Sequence, residues 1–184
     1  EIRLSLVGSE MCIRDRNITN TGTLSTSPII GATLSAPDAG VMVGYGGGQV
    51  NVDNSGTITG RVGLGSSAGG NTFTNSGIVN GSVSLGANST NLFVATTDSS
   101  VNAAGGVAPA VNLGIGAVTV NFAAAGMVDG GSGGNNTLRL RQGTSLTGTI
   151  ANGSFLNFNK LDVESGTWTL NGASAVSQAT LGSG

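Results

Sequence analysis

Asp162 and Glu164 lie two positions apart in Lys160-Leu161-Asp162-Val163-Glu164. In an extended strand that spacing puts both carboxylates on one face, the minimum for a paired acid/base site of the kind that cleaves glycosidic bonds. Arg139 and Arg141, alternating with Leu138 and Leu140, project together in the same way and offer a clamp for a carboxylate or sulfate on a polysaccharide. A plainer chemistry explains both pairs. Lys160 shares the face of the two acids, and charges alternating with apolar residues describe a solvated outer face that discourages unwanted edge pairing. A third candidate is the run from Gly130 to Leu138, GGSGGNNTL, which approximates the calcium-binding nonapeptide G-G-x-G-x-D-x-U-x. Its metal-binding position is Asn135, a neutral amide, and calcium sites of that type need carboxylate oxygens from stacked repeats. The run therefore reads as a glycine-rich corner. Trp168 shares its face with Leu170 and is expected to fill a core instead of stacking on a sugar. Asp38, Asp53, Asp98 and Asp129 stand in turn-like sequence and read as turn formers. These readings assign no catalytic, cofactor-binding or metal-binding residue and no cofactor.

Composition narrows the chemistry further. Histidine is absent, which excludes every mechanism built on an imidazole. With a pI near 4.8 and seven basic residues, the chain lacks the footprint of a nucleic-acid binder. Thirty-three glycines and 4% aromatic residues leave little with which to fill a bulky core, while mean hydropathy of +0.20 and a net charge of -2 argue for a folded chain. No apolar run approaches the roughly 18 residues that a membrane helix requires.

Residues 1–16, EIRLSLVGSEMCIRDR, break sharply from the rest: they hold the only cysteine, Cys12, and one glycine. Back-translation of Leu6 to Arg16 in a single frame resembles the transposon end of a widely used short-read library adapter. We read the segment as a non-native, adapter-derived stretch and exclude it from fold reasoning. Without Cys12 the chain has neither a disulfide nor a thiol nucleophile.

The elements that must carry any site are visible as a repeat. Residues 54–65, NSGTITGRVGLG, and 75–86, NSGIVNGSVSLG, match at an offset of 21, and Val52 and Phe73 correspond at the same offset. Asn20-Thr21-Gly22-Thr23-Leu24 is a weaker copy. Val111-Asn112-Leu113-Gly114 echoes Val83-Ser84-Leu85-Gly86 at a longer offset. Apolar residues alternate within the units (Val62 and Leu64, Val83 and Leu85), as they do at Leu138/Leu140, Leu161/Val163 and Trp168/Leu170. That is strand periodicity with one buried face. Glycine and Asn-Gly punctuation ends each short strand, and the alanine-rich stretch from Ala103 to Ala125 is broken by Gly105, Gly106, Pro109, Gly114 and Gly116.

A unit of about 21 residues built from short strands and glycine corners predicts an all-β parallel β-helix, or β-solenoid, of about eight irregular coils. The division is 1–16 as the adapter-derived segment, 17–129 as solenoid, 130–134 as a Gly-rich corner or linker, and 135–184 as continuing solenoid. Asn54 and Asn75 occupy equivalent positions and are expected to stack as a hydrogen-bonded ladder. Solenoid ends left uncapped are expected to fray or aggregate.

Residues 134–172 resemble the passenger region of bacterial autotransporters. The resemblance rests on Leu138-x-Leu140 before a Gly turn, Gly148-Thr149-Ile150, the Phe155-x-x-Phe158-x-x-Leu161 spacing, and Gly166-Thr167-Trp168-Thr169-Leu170. The Asn-Ser-Gly units at 54–86 are similar to passenger repeats of that family. The resemblance implies a right-handed β-helix joined to a C-terminal outer-membrane barrel in the parent protein and displayed outside the bacterial cell. It further implies adhesion to a host surface or glycan, or self-association, as the role. The alternatives are a polysaccharide-acting β-helix enzyme, using Asp162, Glu164, Arg139 and Arg141, and a calcium-binding β-roll.

Overall fold

The structure, a computed structural model, describes residues 2–5, 16–25, 40–44, 48–103, 111–115, 118–173 and 175–182. Its strands in chain order are β1 (Ile2–Ser5), β2 (Arg16–Asn20), β3 (Thr23–Ser25), β4 (Gly40–Gly44), β5 (Val50–Asn54), β6 (Thr57–Leu64), β7 (Thr72–Asn75), β8 (Ile78–Ser84), β9 (Leu92–Thr96) and β10 (Ser100–Asn102). They continue as β11 (Val111–Ile115), β12 (Val118–Phe122), β13 (Val128–Asp129), β14 (Thr137–Arg141), β15 (Thr147–Ala151), β16 (Phe155–Leu156), β17 (Lys160–Val163), β18 (Thr167–Asn171) and β19 (Gln178–Leu181). A 3-10 turn, Asn152–Ser154, joins β15 to β16.

The fold is an all-β parallel solenoid. In the first sheet, β2, β5, β7, β9, β14, β17 and β19 lie side by side and parallel, one strand from each successive coil. β1 adds to this sheet antiparallel, against β2. The inward row reads Ile18, Val52, Phe73, Phe93, Leu138, Leu161 and Ala179, so every rung places one apolar side chain over the last. Phe73 and Phe93 stack with centroids 5.6 Å apart. About eight coils were expected; the described residues of this sheet supply seven parallel rungs.

The second sheet bends into two faces. Thr57–Thr59 of β6 pair with β3, whereas Arg61–Leu64 pair with β4. β8 divides in the same way, Ile78–Asn80 against β10 and Val83–Ser84 against β13. The bend falls at Gly60 and Gly81, which stack directly: a Cβ on Gly81 would run into the Gly60 carbonyl oxygen. The coils that begin with β5 and β7 thus offer three strand segments each, packed on one core. Val50, Val52 and Phe73 from the first sheet meet Ile58, Val62, Val79 and Val83 from the second in a single buried cluster. The predicted alternation explains this packing, since period two sends every second residue inward.

The coils are unequal. Equivalent residues in successive rungs are separated by 34, 21, 20, 45, 23 and 18 positions. The 45-residue interval holds an excursion in which β11 and β12 pair antiparallel, Val111 opposite Phe122 and Leu113 opposite Val120. This corrects the reading of Val111-Asn112-Leu113-Gly114 as an echo of Val83-Ser84-Leu85-Gly86: the segment belongs to a hairpin, and the rung stacked on Val83 is Val128. Local sequence similarity followed strand alternation, which hairpins and rungs share. The hairpin's exit is fixed on the outside of β6 and β8, where Ser84 Oγ accepts from the Ala123 N–H at 2.8 Å and Arg61 Nη1 donates to Ala123 O at 3.3 Å.

Candidate functional site

The four charged residues with the clearest chemical potential, Arg139 and Arg141 on β14, Asp162 on β17 and Glu164 directly after it, lie side by side on the outer face of the first sheet. Parallel pairing puts Arg139 opposite Asp162. Arg139 Nε donates to Asp162 Oδ2 at 2.8 Å, and Arg141 Nε donates to Glu164 Oε2 at 2.9 Å. Arg139 also lies 3.5 Å from Glu164. The arginine pair and the carboxylate pair, two separate candidates in the sequence, therefore form one ion-pair ladder between neighbouring coils. Its members are 26 to 45% exposed, so each pair contributes on the order of 0–1 kcal/mol. Both acids are engaged by arginines on an open face, and among the described residues no wall encloses them to orient a sugar.

The glycine-rich corner at 130–134 is a turn stacked on the turn of an earlier coil. Asn88 N–H donates to Ser132 O at 2.8 Å, and a Cβ at Gly131, where φ is +94°, would collide with Gly86 O. Asn135 is exposed, whereas Asn136 is fully buried. Asp129 uses Oδ1 to accept from Gly131 N–H at 2.8 Å and from Asn157 Nδ2 at 2.7 Å. Among the described residues no three acidic, cysteine or histidine side chains converge.

The remaining candidates fall apart in space. Asp53 lies on strand β5 and is exposed, not in a turn. Asp98 does sit in a turn: its carboxylate accepts from the N–H groups of Thr144 and Ser145, which ties the β9–β10 turn to the β14–β15 turn. The Ser145 side-chain hydrogen bond and then those two N–H bonds hold the Asp98 carboxyl below its ordinary value. Trp168 is half-buried against the core, its ring over Gly148 of the neighbouring rung and its Nε1 donating to Ser165 O at 2.9 Å. Leu170, two positions on along β18, stacks over the buried Ile150 and is itself 38% exposed. Cys12 and Asp38 lie outside the described residues.

The best-organised polar groups are buried amides. Asn20 Nδ2 donates to Asn54 Oδ1 at 2.7 Å, Asn54 Nδ2 to Asn75 Oδ1 at 2.8 Å, and Asn75 Nδ2 to Ser100 O at 3.2 Å. This is the ladder that the repeat implied, extended by one rung to Asn20. A second ladder went unread. Asn71, Asn91, Asn136 and Asn159 precede β7, β9, β14 and β17, and the N–H of each of the first three donates to the side-chain oxygen of the next. The amides of Asn71, Asn91 and Asn136 also donate to carbonyls of two neighbouring corners, as Asn71 does to Gly65 O and Leu85 O. The signal was an Asn two positions before each inward apolar residue (Phe73, Phe93, Leu138, Leu161), masked by the uneven spacing of 20, 45 and 23. In both ladders the buried amides satisfy polar groups of the corners. No protein-family model, curated protein or solved structure matches the chain.

Proposed function

We propose that the chain is a non-catalytic, surface-displayed stalk or scaffold of an autotransporter-like adhesin, acting in adhesion or self-association outside the bacterial cell. The observation that carries this reading is the ion-pair ladder. The residues best suited to catalysis, Asp162 and Glu164, are engaged by Arg139 and Arg141 on an open sheet face. A stalk needs stacked coils with satisfied corners and solubilising charge, and that is how the polar side chains are spent. The resemblance of residues 134–172 to passenger regions supplies the location, the covalently linked outer-membrane barrel of the parent protein and the partner class, a host surface or glycan.

Antibodies against the purified chain test the display. Labelling of intact producing cells, lost after external protease treatment, is the expected result; labelling that requires permeabilised cells overturns the reading. The chain should also compete with those cells for a host surface or glycan array while leaving soluble polysaccharides uncut. Cleavage that Asp162→Asn abolishes would transfer the protein to the enzyme class.

A further inference from the structure

Among the described strands, the stacking between the coils of β9 and β14 is interrupted on one face. On the first face β9 and β14 pair directly, and β13 pairs with β8 on one side and β16 on the other. Between them, among the described strands, β10 pairs only with β8, and β15 only with β18, so no ladder joins Ser100–Asn102 to Thr147–Ala151. The cause lies in the preceding turns. Residues 97–99 connect β9 to β10, whereas the longer 142–146 connects β14 to β15. The turns are pinned together where Thr97 Oγ1 donates to Ser145 O at 2.6 Å, and the strands splay beyond that point.

The splay opens a cavity of about 200 Å³. Phe93, Ala95, Val101, Ile150 and Phe155 give it an apolar floor, and Thr149 stands at its wall. The peptide groups at the walls are oriented. Ser100 N–H donates to Gly77 O, so Ser100 and Asn102 spend their main-chain groups on β8 and the N–H and C=O of Val101 face the opening. Thr167 N–H donates to Leu146 O, so by the same alternation Gly148 and Ile150 serve β18, while the main-chain groups of Thr149 face the opening. Two strand edges with main-chain groups directed into one apolar-floored cleft suit an extended backbone bearing an apolar side chain.

We propose that the cleft between β10 and β15 binds an extended peptide segment, which pairs with the main chain of Val101 or Thr149 and places one apolar side chain beside Phe93 and Phe155. The opening lies away from the ion-pair ladder and does not depend on the stalk reading.

The probe is a fluorescent peptide NSGIVNG, the sequence of residues 75–81, whose Ile78–Asn80 segment pairs with β10 from its other side. Its anisotropy is titrated with the full chain. Saturable binding is expected, with slowed amide exchange at Val101 and Thr149, and a peptide carrying serine in place of isoleucine and valine should bind at least tenfold more weakly. Ala95→Leu fills the cleft with the side chain that Leu140 supplies at the next rung, so it is compatible with the coil and should abolish binding while keeping the β-type spectrum. Val101→Pro deletes the inward N–H without touching a β8 hydrogen bond. Equal binding by wild type and Ala95→Leu overturns the proposal, as does no binding at millimolar peptide. Concentration-dependent dimers without peptide, lost in Ala95→Leu, would assign the cleft to a second copy of the chain and also overturn it.

Discussion

Asn54 is the amide on which its ladder turns, because it both accepts from Asn20 and donates to Asn75 while wholly buried. Replacing it by alanine orphans a donor on one neighbour and an acceptor on the other. An unsatisfied buried polar group costs about 1–3 kcal/mol, so Asn54→Ala should lower stability by about 2–3 kcal/mol in denaturant unfolding. Ser82 is the matched contrast: equally buried, with a hydroxyl that finds no partner among the described residues. Ser82→Ala removes no hydrogen bond and should change stability by less than about 0.5 kcal/mol. Near-equal effects of the two substitutions would refute the ladder's energetic role.

Asp98 makes a prediction in pH. Its folded-state carboxyl lies below the ordinary value because the charged form accepts from the Ser145 side chain and from the N–H groups of Thr144 and Ser145. A depressed acid stabilises the fold above its unfolded pKa, and that contribution fades as pH falls below about 4 and through the folded value. Amide exchange at Thr144 and Ser145 should therefore accelerate in that acid window. In Asp98→Asn the same amides should show no such step, and an unchanged step would assign the titration to another group.

Strands and corners are held by close backbone stacking as much as by side chains. At the bend of β8, Gly81 rests directly on Gly60 with no room for a methyl group, since the clash is with backbone that cannot rotate away. Gly81→Ala should cost about 2–3 kcal/mol or prevent that corner from forming. Gly153, with nothing within 4 Å of a built Cβ, should accept alanine without measurable loss of thermal stability. The 21-residue self-match located this corner in advance, because Gly60 and Gly81 are its equivalent glycines, and it also set Val52 on Phe73 and Asn54 on Asn75. It lost the thread where coil length changed. The β11–β12 hairpin shares its alternation with a rung, and only long-range pairing tells them apart. The ion-pair ladder was hidden for the same reason: Arg139 and Asp162 are 23 positions apart, and nothing local in either strand announces the register that joins them. The β10–β15 cleft follows from unequal turns, a property of two coils compared and not of either one.

The molecule as a whole is quasi-one-dimensional, so each rung is stabilised by the one beneath it and the one above. β19 pairs with β17 and with no other described strand. Its Leu181 continues the row of Leu140 and Val163, yet it is 77% exposed because no described rung covers it. Leu170 adds a second exposed apolar side chain on β18. An unpaired strand edge beside exposed leucines is a template for another parallel strand, and a second copy of the chain carries strands of matching width and pattern. The isolated chain should therefore self-associate with increasing concentration in sedimentation velocity. Leu181→Lys should shift it toward monomer, because a charge there repels a stacking copy, while the melting temperature at low concentration stays nearly unchanged, because so exposed a side chain buries little on folding. If the variant associates as strongly as the parent chain, the contact lies elsewhere on the solenoid, and the open rung plays no part in self-association.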